Sequence, residues 1–296
     1  MKKFLLHTTK FGLIIFLLIN AVAWFNLYFI RNSSFYKPSF LTHEVKETQF
    51  DYVIIGSSIG LTSINSIQID SITHKKGLNL SIDDTALCSN YLMLSHFYNQ
   101  GKKTNYCILA ISHWDLANAQ PELSDNDYRF LPFVSEKYVQ DYYASMEKGY
   151  FKPLSLSRYF PAIGVSYYNT ELFYPSLLAM IQPNKRNRFD EKGNYAYPDN
   201  SGFEDQTLEQ TSLTWNNPFI KKIKDLCDAN NTQLIVYQAP MFQNTVFNNN
   251  SNYTFINHSS LLKDKSYFYD KIHLNASGRK IASEYLALEL NQNFFK

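Results

Sequence analysis

The chain has 296 residues, enough for one large domain or two small ones, and 45% hydrophobic against 18% charged residues excludes a disordered protein. A formal charge of +2, carried by scattered lysines, argues against a phosphate-backbone partner, so no nucleic acid is expected. Three cysteines (Cys88, Cys107 and Cys227) cannot all pair with one another and match no metal spacing, and no metal or cofactor is expected.

After the basic opening MKKFLLHTTK comes FGLIIFLLINAVAWFNLYFI, Phe11 to Ile30, twenty residues without a charge. As a helix this stretch spans about 30 Å, the thickness of a bilayer's hydrocarbon core. Lys2, Lys3 and Lys10 on the near side predict a cytoplasmic segment 1–10 and a transmembrane anchor over 11–30. Ala21-Val22-Ala23 has the small-x-small form of a signal-peptide cleavage site, which is the alternative. The apolar run continues seven residues past Ala23, which favours an uncleaved anchor. Either way the rest of the chain lies outside the cytoplasm, in a periplasm or on a cell surface.

Residues 31–50 are polar, contain Pro38, and read as a linker. An α/β rhythm starts at DYVIIGSSIG, where the apolar run Val53–Ile55 stopped by Gly56 predicts a buried strand. LTSINSIQI follows as a helix with Leu61, Ile64 and Ile67, and Leu78–Ile82 predicts a second strand. Leu87–Gly101 has helical spacing closed by a glycine, and Tyr106–Ser112 predicts a third strand. From about 121 to 215 the pattern changes to Tyr, Phe, Pro and Asn, with helices expected near Glu136–Lys148 and Tyr168–Ile181. This segment reads as an aromatic-rich, mostly helical insertion. The rhythm resumes with NPFIKKIKDLCDANN as a helix that places Phe219, Ile223 and Leu226 on one face, and TQLIVYQAPM as a strand. FNNNSN reads as a surface loop. The closing helix ASGRKIASEYLALELNQ has a stripe of Ile281, Tyr285 and Leu288, with Asn275 placed to cap it. The sum is an α/β domain over 51–296, a three-layer parallel sheet flanked by helices, with one insertion.

Two short motifs carry chemistry. In IIGSSIG, Gly56 permits a tight strand-to-helix turn and Ser58 falls at the start of the helix, where backbone N–H groups can stabilise an oxyanion. A capping serine after a strand is common in any α/β protein. Of the seven histidines, only His273 has an aspartate three positions before it, in YDKIHLNASGRK. One turn of chain lets the Asp270 carboxylate reach the imidazole, fix its tautomer and stabilise the imidazolium. GSSIG also fits the G-x-S-x-G elbow of α/β-hydrolases, but an elbow after the first strand, with acid and base in one D-x-x-H turn, argues against that family. Asp83-Asp84 and His113-x-Asp115 give only loose oxygen and nitrogen ligands without a recognisable metal site.

A Gly-x-Ser turn after the first strand, together with Asp-x-x-His-Leu-Asn before the last helix, resembles the SGNH (GDSL-like) hydrolase family. The resemblance covers roughly 50–120 and 215–292. It implies a flavodoxin-like sheet and a serine esterase or O-acyltransferase, with Ser58 as nucleophile, His273 as base and Asp270 as its orienter. The family's second block supplies an oxyanion glycine; Ser81 holds that place here, offering its backbone N–H. The third block's asparagine is missing from ISHWD, leaving Ser112 or His113 as substitute donors, with a structural role for both the favoured alternative. That stretch is similar to the Ser-Pro-Gln-Trp region of membrane-anchored D-alanine transfer proteins, and the whole pattern is similar to envelope polysaccharide O-acetyl transfer proteins. The anchor and the aromatic insertion, whose ring faces can pack against sugars, point to an acylated envelope glycan or glycolipid as substrate. A catalytically silent scaffold that binds a glycan or a membrane-bound acyltransferase is the alternative.

Overall fold

The structure is a computed structural model, and it describes residues 1–199, 202–204, 206–249 and 252–295. The chain opens with α1 (Lys2–Arg31) and α2 (Lys37–His43), then alternates β1 (Gln49–Gly56), α3 (Ser58–Ser63), α4 (Ser66–Thr73), β2 (Gly77–Asn79), α5 (Leu87–Asn99), β3 (Lys103–Ile111) and α6 (His113–Ala117). Four helices follow: α7 (Lys137–Met146), α8 (Pro153–Leu156), α9 (Pro161–Tyr168) and α10 (Thr170–Ile181). The last part holds β4 (Glu209–Ser212), α11 (Pro218–Ala229), β5 (Gln233–Gln238), β6 (Asn244–Phe247), β7 (Thr254–Asn257) and α12 (Ala276–Asn293).

These elements form two compact units, residues 1–46 with 127–187, and residues 47–126 with 188–296. In the first unit, α1 is 30 residues long with a mean hydropathy of 2.2 over its most apolar window, the length and composition of a membrane anchor or a signal sequence. Ala23, Asn26, Leu27 and Ile30 are its buried stripe, facing α9 and α10. The span read as a linker carries α2, because Pro38 pre-sets the first turn and Phe40 and Leu41 bury completely. Glu44 takes both guanidinium branches of Arg186, at 2.6 and 3.1 Å, which ties α2 to the end of the helical segment.

The second unit is built on a five-stranded parallel sheet in the order β2-β1-β3-β5-β7, flanked by helices. Parallel strands need both faces covered, so β1, β3 and β5 read as continuous apolar runs: Tyr52–Ile55, Cys107–Ile111 and Leu234–Tyr237 are buried. Strand order reverses between β1 and β3, since β2 lies to one side of β1 and all later strands to the other. In open α/β sheets the crevice at such a switch point, beyond the carboxyl ends of the strands, is where ligands bind. Gly56 ends β1 there with its Cα facing the Ala110 carbonyl of β3, and an added Cβ would lie 2.9 Å from that oxygen. β4 and β6 form a separate two-stranded sheet.

Two helix expectations differ from the structure. The helix expected over 61–69 is broken at Ile64 and Asn65, where Asn65 caps α4 through its side chain. In α12 the buried positions are Ala282, Ser283, Leu286, Ala287 and Leu290, while Tyr285 and Leu288 are about half exposed, so the stripe of Ile281, Tyr285 and Leu288 is not the core face. Ala287 packs in the same cluster as Ile69 of α4, and Ala282 packs with Phe242, Phe268 and Leu274. The fifth strand, β7, follows immediately after the tract read as loop, of which Asn250 and Ser251 lie outside the described residues.

Candidate active site

Ser58 is the first residue of α3, directly beyond β1, with Ser57 as the N-cap. His273 and Asp270 sit at the tip of a small hairpin before α12. Its base is a pair of core residues, Phe268 and Leu274, bridged to each other and fully buried. The Tyr269 N–H donates to the His273 carbonyl at 2.9 Å, closing the tip, and the Asn275 N–H donates to the Tyr267 carbonyl at 3.1 Å. Asn275 then caps α12, accepting from the Gly278 N–H at 3.0 Å while its amide donates to the Ser266 carbonyl at 2.7 Å. One side chain therefore fixes both the hairpin and the helix that follows it.

Within the tip, Asp270 Oδ1 accepts the backbone N–H groups of Ile272 (2.9 Å) and His273 (2.8 Å). That orients the carboxylate so that Oδ2 meets His273 Nδ1 at 2.8 Å. Burial raises the Asp270 carboxyl, but the hydrogen bonds from His273 and Ile272 outweigh it and hold the group below the ordinary aspartate range. An ionised carboxylate only accepts, so Nδ1 carries the imidazole proton and Nε2 is left as an acceptor. Ser58 Oγ lies 2.8 Å from Nε2 and donates to it. The structure thus brings Ser58, His273 and Asp270 into one hydrogen-bonded line, with the His273 ring nearly buried.

A cavity of about 350 Å³ opens at Ser58. Asp84, Trp114, Asp115, Asp125 and Ile272 are among its walls, and among the described residues no lysine or arginine lines it. Trp114 is 43% exposed and lines the same cavity as Ser58. The other sequence candidates sit differently. The Ser81 N–H donates to Asn79 Oδ1 at 3.0 Å, and the Ser81 hydroxyl is buried without a partner, close behind Gly60. Ser112 is buried and caps α6, accepting from the Asp115 N–H at 3.3 Å. His113 packs edge-on against Trp114, and burial holds its pKa below the ordinary histidine value despite Glu209. None of these three lines the cavity; their neighbours Trp114 and Asp115 do.

Asp115 is the group at this cavity whose charge is tuned most. Burial pushes its carboxyl up to about 6, only partly offset by the Ser112 hydroxyl. A raised carboxyl favours folding below the ordinary aspartate value, and that stability is lost as pH rises through the folded value near 6. Asp115→Asn removes the penalty of ionising a buried acid. It is expected to leave the melting temperature unchanged below the ordinary aspartate range and to stabilise by about 2–3 kcal/mol above pH 6. Melting curves of both proteins across pH check this; parallel curves would remove the assigned shift.

Sequence reasoning missed Tyr197, whose ring packs on His273, with centroids 5.3 Å apart and planes at 64°. It belongs to the aromatic stretch assigned to the insertion, and no local spacing marks it.

No protein-family model matches the chain, and no curated protein is significantly similar to it.

Proposed function

We propose that the chain is a membrane-anchored, SGNH-type serine ester hydrolase or O-acyltransferase, facing the extracytoplasmic space and acting on acyl esters of envelope glycans or glycolipids. The observation that carries this reading is the continuous line from the Asp270 carboxylate through the His273 imidazole to the Ser58 hydroxyl. Its position at the strand-order reversal of a parallel sheet supports it further. His273 Nε2 takes the Ser58 proton as Oγ attacks the ester carbonyl, and the imidazolium is stabilised by Asp270. Collapse of the tetrahedral adduct expels the alcohol, which takes the proton from His273, and leaves an acyl ester on Ser58. Water or a sugar hydroxyl, deprotonated by the same imidazole, then accepts the acyl group. The polar cavity and the open Trp114 face suit a sugar, which offers hydroxyl donors to Asp84 and Asp125 and an apolar ring face to the indole. The length and apolarity of α1 support the anchor.

Two observations favour a second reading, a silent scaffold that binds a glycan or a membrane-bound acyltransferase. The Ser81 N–H is spent on Asn79, and no asparagine stands in Ser112–Asp115, so two oxyanion donors of the family pattern are missing. Loss of one such donor costs about 10²–10³ in rate. Reaction of the detergent-solubilised full-length protein with a fluorophosphonate probe separates the two. Labelling at Ser58, absent in folded Ser58→Ala and His273→Ala variants, is the expected result. No labelling of the folded wild type would favour the scaffold.

A further inference from the structure

We propose that Tyr197 is a positioning residue for this site, a ring that walls the His273 imidazole and keeps Nε2 on the Ser58 hydroxyl. The inference rests on the Ser58–His273–Asp270 reading above. The contacts of Nδ1 with Asp270, at 2.8 and 3.0 Å, hold one edge of the imidazole, and the position of Nε2 on the other edge depends also on what packs against the ring. A pivot of about 1 Å at the reacting atom can cost about 10²-fold in rate. Tyr197 bears on the ring itself, edge to face at 5.3 Å.

Tyr197 touches the hairpin at two further points. Its ring stacks on that of Tyr269, with centroids 4.2 Å apart and planes at 10°, and its backbone bridges to Asn275. The segment that carries Tyr197 is itself pinned on both sides. Before it, Asp190 accepts from the Lys192 and Asn194 N–H groups, Asn194 Oδ1 accepts from the Ser66 N–H at 2.9 Å, and the Lys192 carbonyl accepts from the Asn79 N–H at 2.9 Å. After it, Asp199 accepts from the Ser277 N–H at 3.1 Å, at the start of α12. Tyr197 is thus held by the frame on which β2, α4 and α12 rest, not by the hairpin alone. Burial raises its phenol, and Tyr195, Asp270, Asp83 and Tyr269 add to this, so the ring stays neutral. The contribution comes from the ring and not from a charge, which makes phenylalanine the conservative replacement.

The test compares wild type, Tyr197→Phe and Tyr197→Leu as full-length protein in detergent micelles, with folding checked by circular dichroism. The first readout is the far-downfield proton resonance of His273 Nδ1–H against Asp270, identified by its loss in His273→Gln. The expected result is a sharp resonance in wild type and Tyr197→Phe, and its loss to exchange with water in folded Tyr197→Leu. The second readout is the rate of fluorophosphonate labelling at Ser58, expected to be unchanged in Tyr197→Phe and to fall by up to about 10²-fold in Tyr197→Leu. An unaltered resonance in folded Tyr197→Leu overturns the inference, as does its equal loss in Tyr197→Phe. The resonance needs no turnover, so a wild type that never labels would defeat the enzymatic reading and leave the positioning role to be decided by the spectrum.

Discussion

Asp270→Asn is expected to slow labelling of Ser58 by about 10⁴-fold without unfolding the protein. The reason lies in the two backbone bonds at the hairpin tip. Ile272 and His273 donate their N–H groups to Oδ1, and the amide oxygen of an asparagine would keep that place. The amide nitrogen then replaces Oδ2, 2.8 Å from His273 Nδ1. An N–H donor 2.8 Å from Nδ1 competes with the retained oxygen, 3.0 Å away, and favours the tautomer with its proton on Nε2, which would donate to Ser58 instead of accepting from it. The geometry survives and the direction of the proton is reversed. Because Asp270 is held below the ordinary aspartate range, the carboxylate is present at neutral pH, and its stabilisation is lost only as pH falls through that lowered value. Labelling of folded Asp270→Asn within tenfold of wild type would mean that the carboxylate does not set the tautomer.

Much of the site was legible because its signals are local. Val53–Ile55 stopped by Gly56 announces a buried strand and a turn, and Ser58 follows within two residues. Asp270 and His273 are three apart, a spacing at which chain geometry alone brings side chains together. What was illegible depends on contacts distant in sequence or on backbone that a side-chain pattern does not report. Ser81 occupies the expected place, but its N–H is consumed by the side chain of Asn79, two residues back. Tyr197 meets His273 because its segment is tied to elements far along the chain, Lys192 to Asn79, Asn194 to Ser66 and Asp199 to Ser277, through polar bonds that leave no hydrophobic period. The same bonds explain why the insertion, read as 121–215, gives up residues 188–215 to the unit that holds the sheet. In α12 the large Tyr285 and Leu288 are about half exposed, while the small Ala282, Ser283 and Ala287 are buried, so side-chain size points to the wrong face. Ser283 even accepts the Asn65 N–H at 2.8 Å, a bond that only a short side chain at that spot can make.

Gly278→Ala is expected to damage both stability and reactivity, because this glycine borders the hairpin that carries His273. A Cβ there would lie 2.1 Å from the Tyr267 carbonyl oxygen and 3.0 Å from its carbon. These are backbone atoms, so no rotamer change relieves the clash. The Tyr267 oxygen also accepts the Asn275 N–H at 3.1 Å, the bond that closes the base of the hairpin. Either α12 backs away from the hairpin, weakening the cap at Asn275, or the hairpin shifts and carries His273 off Ser58. Overpacking of this kind costs about 1–3 kcal/mol. A displacement of about 1 Å at Nε2 would add a loss of up to about 10²-fold in labelling. The two routes are separable: a lowered melting temperature with normal labelling means that α12 yields, whereas reduced labelling of folded protein means that the hairpin does. A variant that melts and labels like wild type would show that the contact between Gly278 and Tyr267 does not hold the base of this site.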